Sequence, residues 1–101
     1  MVQLKWLKSA KTDLKEIYDY IALDSKRYAK FQIERIFSKT TILKSQPEIG
    51  KVVEEINKID IREIIEGNYR IIYRIITPSV IHVLMIHHGA RDLKRRIKEQ
   101  L

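Results

Sequence analysis

The sequence predicts an α+β fold: an N-terminal strand and an antiparallel helical hairpin packed on a twisted antiparallel sheet, in the order β-α-α-β-β-β with a short C-terminal helix. Three observations carry this. The apolar period switches from two residues to three or four near residue 7, and a second amphipathic stretch follows the first almost at once. The C-terminal half is then dense in Ile, Val and Tyr, broken only by Gly67-Asn68 and Thr77-Pro78-Ser79.

Val2, Leu4 and Trp6 alternate with Gln3 and Lys5, the signature of a half-buried strand over residues 2–6. From Ser9 onward Leu7, Ala10, Leu14, Ile17, Tyr18 and Ile21 recur at helical spacing, with Ser9 or Thr12 as candidate caps. After Asp24-Ser25, a second helical face is marked by Ala29, Ile33, Ile36, Phe37, Thr40 and Leu43, and it stops before Pro47 and Gly50. The short junction forces an antiparallel hairpin whose apolar faces need a common floor. Residues 59–88 supply it as a three-stranded meander. Residues 51–58 read as an exposed connection with room for a short strand at Val52-Val53, and residues 92–101 as a short basic helix.

At 101 residues the chain has material for one core and is expected to form a single domain over 1–101. A multidomain enzyme is excluded. Without Cys there is no disulfide, thiolate zinc site or thiol nucleophile, and a reducing cytoplasmic location fits. The charged N-terminus offers no signal-peptide core, and the longest apolar stretch, Val80 to Ile86, is far short of the ~18 residues a membrane span needs. No membrane partner is expected. The 20 Lys and Arg against 13 Asp and Glu give a net charge of +7, which favours nucleic acid, a ribonucleoprotein or an acidic protein as partner.

Strand parity sharpens the candidate surface. Tyr69, Ile71, Tyr73 and Ile75 form an apolar set that must face the helices, while Arg70, Ile72, Arg74 and Ile76 form the other face. Ile59, Ile61 and Ile65 join the Tyr/Ile set if Glu66-Gly67-Asn68 is a three-residue bulged loop. A two-residue Gly-Asn turn would instead bring Arg62 beside Tyr73, at a desolvation cost. The three-residue loop is therefore expected, with Arg62, Arg70 and Arg74 emerging on one open face between Ile64 and Ile72. Such a basic, partly apolar groove suits phosphate, carboxylate or an amphipathic peptide. His82 and His88 lie too far apart along one strand to share a zinc ion, so no metal is expected.

The string Ile61-Arg-Glu-Ile-Ile-Glu-Gly-Asn-Tyr-Arg-Ile-Ile-Tyr-Arg-Ile75 resembles the signature of the RelE/ParE superfamily of bacterial type II toxins. Ala10-Lys-Thr-Asp-Leu-Lys-Glu-Ile-Tyr-Asp-Tyr-Ile21, Gln46-Pro-Glu-Ile-Gly50 and His87-His-Gly-Ala-Arg-Asp-Leu93 resemble the same family in the same order, so the likeness spans essentially the whole chain. It implies the fold described above, growth inhibition, a role in plasmid stabilisation, and a hetero-oligomer with a cognate antitoxin. It implies no cofactor.

The superfamily contains two mechanisms. RelE-like members are ribosome-dependent mRNA endoribonucleases, for which the resemblance assigns Arg70 and Arg91 to phosphate, Arg62 to the place of a Lys, and His87 or His88 to metal-independent proton transfer. Neighbouring strand residues point to opposite faces, so only one of the two His can line the groove. The Tyr that many such nucleases carry near the C-terminus is missing here; all five Tyr lie earlier and Ile97 stands in that region. ParE-like members inhibit DNA gyrase by binding it, and the His-Gly-Ala-Arg-Asp-Leu segment resembles that branch more. We therefore expect a non-catalytic ParE-like toxin in which Arg62, Ile64, Arg70, Ile72 and Arg74 bind antitoxin or target. Arg91, Lys94, Arg95, Arg96 and Lys98 form a basic tail toward gyrase–DNA or the antitoxin. The ribosome and mRNA remain the alternative target.

Overall fold

The computed structural model describes residues 2–100. Strand β1 (Gln3–Trp6) leads into helix α1 (Lys8–Ala22), and helix α2 (Lys26–Thr40) returns along it and tightens into a 3₁₀ turn at Thr41–Lys44. A two-residue strand β2 (Lys51–Val52) precedes the meander β3 (Ile61–Glu66), β4 (Tyr69–Thr77) and β5 (Val80–His88), and helix α3 (Leu93–Gln100) closes the chain. Leu101, the last residue of the expected basic tail, lies outside the described residues. The sheet order is β1-β5-β4-β3-β2. β1 runs parallel to β5 and every other pair is antiparallel, so the sheet is mixed rather than wholly antiparallel.

Ser25 caps α2, its hydroxyl accepting from the Tyr28 N–H at 3.1 Å. Neither Ser9 nor Thr12 caps α1: the N-cap is Leu7, without a side-chain hydrogen bond. The Ser9 hydroxyl donates instead to the Leu84 carbonyl on β5.

The β3–β4 connection is the two-residue Gly67-Asn68 turn, with Glu66 paired to Tyr69, which corrects the expected three-residue loop. Gly67 sits at a positive φ of 59°, which a side chain would strain. The register therefore moves by one residue, and paired residues share a face. Arg62, Ile64 and Glu66 join Tyr69, Ile71, Tyr73 and Ile75 on the face toward the hairpin, here the front. Ile61, Glu63 and Ile65 join Arg70, Ile72 and Arg74 on the back, and Ile59 lies before the strand, exposed.

Both faces are covered. In front, Ala10, Ile36 and Leu43 of the helices pack with Ile64, Ile71, Tyr73, Ile81, Val83 and Ile86. Behind, Val53, Ile61, Ile72, Leu84, Met85 and Leu93 form a second core, with Leu7, Ile56 and Ile97 packed against it. Helix α3 is thus a structural layer as well as a basic tail. Strand β5 carries an irregularity at Leu84, since Ile72 pairs with Met85 but Tyr73 with Val83. A bulge of this kind reverses side-chain parity downstream. Ile81 and Val83 face front before it; Ile86 and His88 face front after it, and His87 turns to the back beside Arg70.

Tyr73 shows how the loop after α2 is fastened to the sheet. Its buried hydroxyl donates to the Pro47 carbonyl at 2.8 Å and accepts from the Gly50 N–H at 3.0 Å. A Cβ on Gly50 would stand 2.6 Å from both the Glu63 carbonyl and that hydroxyl, so only glycine fits. Tyr73→Phe leaves both backbone groups without this partner and should destabilise the protein by about 1–3 kcal/mol in urea unfolding. An unchanged midpoint would show that water replaces the hydroxyl.

Candidate functional site

Arg70 is the most constrained of the expected functional residues. From the centre of the back face its Nε donates to Glu63 Oε2 at 2.8 Å, and its Nη1 and Nη2 grip the Glu55 carboxylate in a bidentate pair at 2.8 and 2.9 Å. Nη2 also ion-pairs with Glu63, whose side chain is 3% exposed. The Arg70 hydrogen bond, working against burial, holds the Glu55 carboxyl down at about 2. Donating hydrogen bonds to the same carboxylates, Glu55 first, raises Arg70 above its already high value against desolvation. This side chain is a half-buried cation held by two carboxylates.

The expected open groove is absent. Arg62 lies across the sheet from Arg70, beside Tyr73 as the two-residue turn requires. Its guanidinium reaches the sheet edge and donates to three backbone carbonyls: Gly50 at 3.0 Å, Ile59 at 3.1 Å and Glu48 at 3.4 Å. Those acceptors offset the desolvation that counted against this register. Ile64 is buried in the front core and Ile72 in the back core, so neither offers apolar surface to a partner. Of the three meander arginines only Arg74 is well exposed, with its Nε on Asp60 at 2.9 Å; that bond is the main reason the Asp60 carboxyl is lowered.

The two histidines part company at the bulge. His87 is buried, with Nε2 3.0 Å from the Arg91 carbonyl and Nδ1 3.3 Å from Nη1 of Arg96. Burial pushes its imidazole below the ordinary histidine range, and Arg96 and Arg70 add to the effect. His88 faces front, its Nδ1 accepting from the Ala90 N–H at 3.1 Å and its ring set edge-on to Tyr69 at 5.4 Å. The structure therefore does not bring Arg62, Arg70 and a histidine together around one substrate position. In the tail, Arg91 and Lys94 are exposed, and Arg95 is exposed with a 3.5 Å pair to Glu99. Arg96, expected as a surface cation, is turned inward onto Asp13.

The sequence reading missed two sets of residues. Glu55 and Glu63 are the anions that hold Arg70; a two-residue turn would have placed Glu63 on that face, but nothing in the sequence links Glu55 to it. The second set is an exposed apolar surface at the hairpin tip, where Tyr20, Leu23, Tyr28 and Phe31 are each at least half exposed. Tyr28 lies 6.3 Å from Phe31, and the Arg35 guanidinium sits over the Phe31 ring. Burial raises the Tyr69 phenol, with Tyr28 and Tyr20 adding to it and Arg91 opposing, which ties this surface to the end of the sheet.

Two solved structures share the architecture. A chain of a chromosomal ParDE toxin–antitoxin system from P. aeruginosa superposes with a TM-score of 0.70 at 23% identity, over 87% of this chain and 96% of that one. A chain of the toxin–antitoxin complex RelBE2 from Mycobacterium tuberculosis gives 0.56 at 18%, over 86% and 96%. The fold is thus that of the RelE/ParE toxins. A comparison with curated protein sequences gives no match. The sequence model described as ParE toxin of type II toxin-antitoxin system, parDE, matches residues 4–93, and the chain belongs to that family.

Arg70→Ala should leave the Glu63 carboxylate buried without its main partner and cost about 3–5 kcal/mol, read as a fall in Tm. A loss of function in that variant accompanied by an unchanged Tm would instead mark Arg70 as a contact residue. Because the Glu55 carboxyl is depressed from 4.5 to about 2, the stability it contributes is present above pH about 4.5 and is lost as pH falls toward 2. Denaturant unfolding of the Glu55→Gln variant should show a shallower acid limb.

Proposed function

We propose that this ParE-family toxin inhibits DNA gyrase by binding it, without catalysis, and is neutralised by a cognate antitoxin. The observation that carries the reading is that Arg62, Arg70 and His87, three of the groups named for RNA cleavage, are engaged in internal contacts and are not gathered around one substrate position with Arg91 and His88. Arg70 is occupied by Glu55 and Glu63, and both ring nitrogens of His87 are used in internal contacts. General acid–base chemistry needs a titratable group within reach of substrate, and stabilising a phosphorane needs a cation aimed at it. The accessible charges, Arg74, Arg91, Lys94, Arg95 and Lys98, suit binding to an anionic surface such as gyrase-bound DNA.

The hairpin tip suits the antitoxin. Tyr20, Leu23, Tyr28 and Phe31 offer apolar area, and Lys26, Arg27, Lys30 and Arg35 surround it with positive charge. An acidic amphipathic segment matches both features. The ParDE and RelBE2 structures are both toxin–antitoxin assemblies, which supports a partner of this kind.

The test is a paired assay of antitoxin-free protein: gyrase supercoiling with cleavage-complex trapping, beside translation-coupled mRNA cleavage on ribosomes. Trapped gyrase complexes with intact mRNA are expected; cut mRNA with unaffected gyrase would overturn the reading. Removing three exposed cations together, in Arg91→Ala, Lys94→Ala and Lys98→Ala, should weaken gyrase inhibition by about tenfold or more and flatten its salt dependence.

A further inference from the structure

Helix α3 is held by a polar node as well as by Leu93 and Ile97, and the node has a defined protonation state. After Trp6 the chain leaves the side of β5, so among the described residues the β5 edge beyond Val83 has no neighbouring strand. Side chains seal it. The Ser9 hydroxyl donates to the Leu84 carbonyl, the Ile86 N–H donates to Asp13 Oδ2 at 2.9 Å, and Nη1 of Arg96 donates to the Ile86 carbonyl at 3.3 Å. Nη2 of Arg96 ion-pairs with the same Asp13 oxygen. One carboxylate on α1 thereby holds both the sheet edge and α3. It is partly buried, as is Arg96, where an ion pair is screened less than on the open surface.

His87 completes the node. A guanidinium carries only donors, so the Nδ1 that Arg96 approaches at 3.3 Å must be bare. A carbonyl only accepts, so the Nε2 that lies 3.0 Å from the Arg91 oxygen must carry the hydrogen. Both contacts specify one neutral tautomer. We propose that Asp13, Arg96 and His87 form a latch that holds α3 on the back of the sheet while His87 is neutral and releases it when His87 is protonated. The proposal deepens the gyrase-binding reading, and its functional consequence rests on that reading, because α3 carries Lys94, Arg95 and Lys98.

Protonation would place an Nδ1–H against a guanidinium that has nothing to accept it. It would add a positive charge beside Arg96 of α3 and Arg70, the register partner of His87 on β4. The anions that face His87 are Asp13 of α1 and Glu55 of the β2–β3 connection. Each is already engaged by a guanidinium, Asp13 by Arg96 and Glu55 by Arg70. Burial depresses the imidazole in the same direction. Docking of α3 is therefore at full strength above the ordinary histidine value of about 6.5 and weakens as pH falls through the lower folded value. The docking equilibrium shifts about tenfold for every pH unit by which docking depresses His87. Release withdraws Leu93 and Ile97 from the back core that contains Ile72 and Met85.

The test is NMR on the uniformly 15N-labelled whole chain between pH 8 and 5. Imidazole nitrogens report the tautomer, and heteronuclear NOEs of residues 93–99 report docking. At pH 7.5 His87 should show the Nε2–H form with α3 ordered; its protonation should coincide with loss of order in α3 while Ile71, Ile72 and Tyr73 amides stay rigid. His87→Gln, neutral throughout, should keep α3 ordered at pH 5. Asp13→Asn should loosen α3 already at pH 7.5. An Nδ1–H tautomer, or an α3 unchanged through the titration of His87, would overturn the latch whatever gyrase does. Should Asp13→Asn free α3 while gyrase inhibition persists at full strength, the latch stands and the role of α3 in target binding falls.

Discussion

Everything in this fold follows from a central strand, β4, that is buried on two sides. Ile71 and Tyr73 point to the helical hairpin and Ile72 to the back, and all three are inaccessible to solvent. Among the described residues the back layer has no second pair of helices. It uses Val53 and Ile56 of the β2–β3 connection together with Leu93 and Ile97 of α3. The basic C-terminus is therefore not a free arm, because its inward residues complete a core and its outward ones carry charge. That division limits which cations a partner can reach.

The same constraint explains Arg70. A cation in the middle of a covered face survives only with acceptors around it, and the register of β3 delivers Glu63 while the preceding connection delivers Glu55. Replacing such a pair with apolar residues is often tolerated, whereas removing one member strands the other. The motif that resembles a phosphate-binding arginine in the sequence is thus, in this chain, part of the packing. The front face solves its own problem differently, by letting the Arg62 guanidinium escape to three carbonyls at the sheet edge.

Much of the architecture was legible from periodicity alone. The alternation of Val2, Leu4 and Trp6, the two amphipathic helices, and the Tyr/Ile set of β4 were read directly, because burial of one face imposes a period. What failed depended on backbone acceptors and on a bulge. The turn differs from the expected one because Arg62 finds the carbonyls of Gly50 and Ile59, which belong to loops with no periodic signal. With the turn went the supposed groove of Arg62, Ile64, Arg70, Ile72 and Arg74. The bulge at Leu84 sends His87 to the back, and no residue type in Val83-Leu84-Met85 announces it. Asp13 carries no sequence signal of its own, because its tie to Ile86 and Arg96 is purely tertiary.

The parallel pairing of β1 with β5 joins segments that lie far apart in the sequence, in time as well as in space. Gln3 has no strand to lie against until Val80 has been made, and Ser9 and Asp13 have no edge to seal until Leu84 and Ile86 follow. Loop closure over such a separation is slow compared with forming the helical hairpin, which is local. During synthesis the hairpin thus emerges first with its apolar face uncovered, the β2–β3–β4 ladder follows, and β1 gains its neighbour only after β5 has been made. A chain lacking β5 would keep the β2–β3–β4 ladder but leave β1 without its partner, and Ser9 and Asp13 without the Leu84 and Ile86 backbone groups they hold.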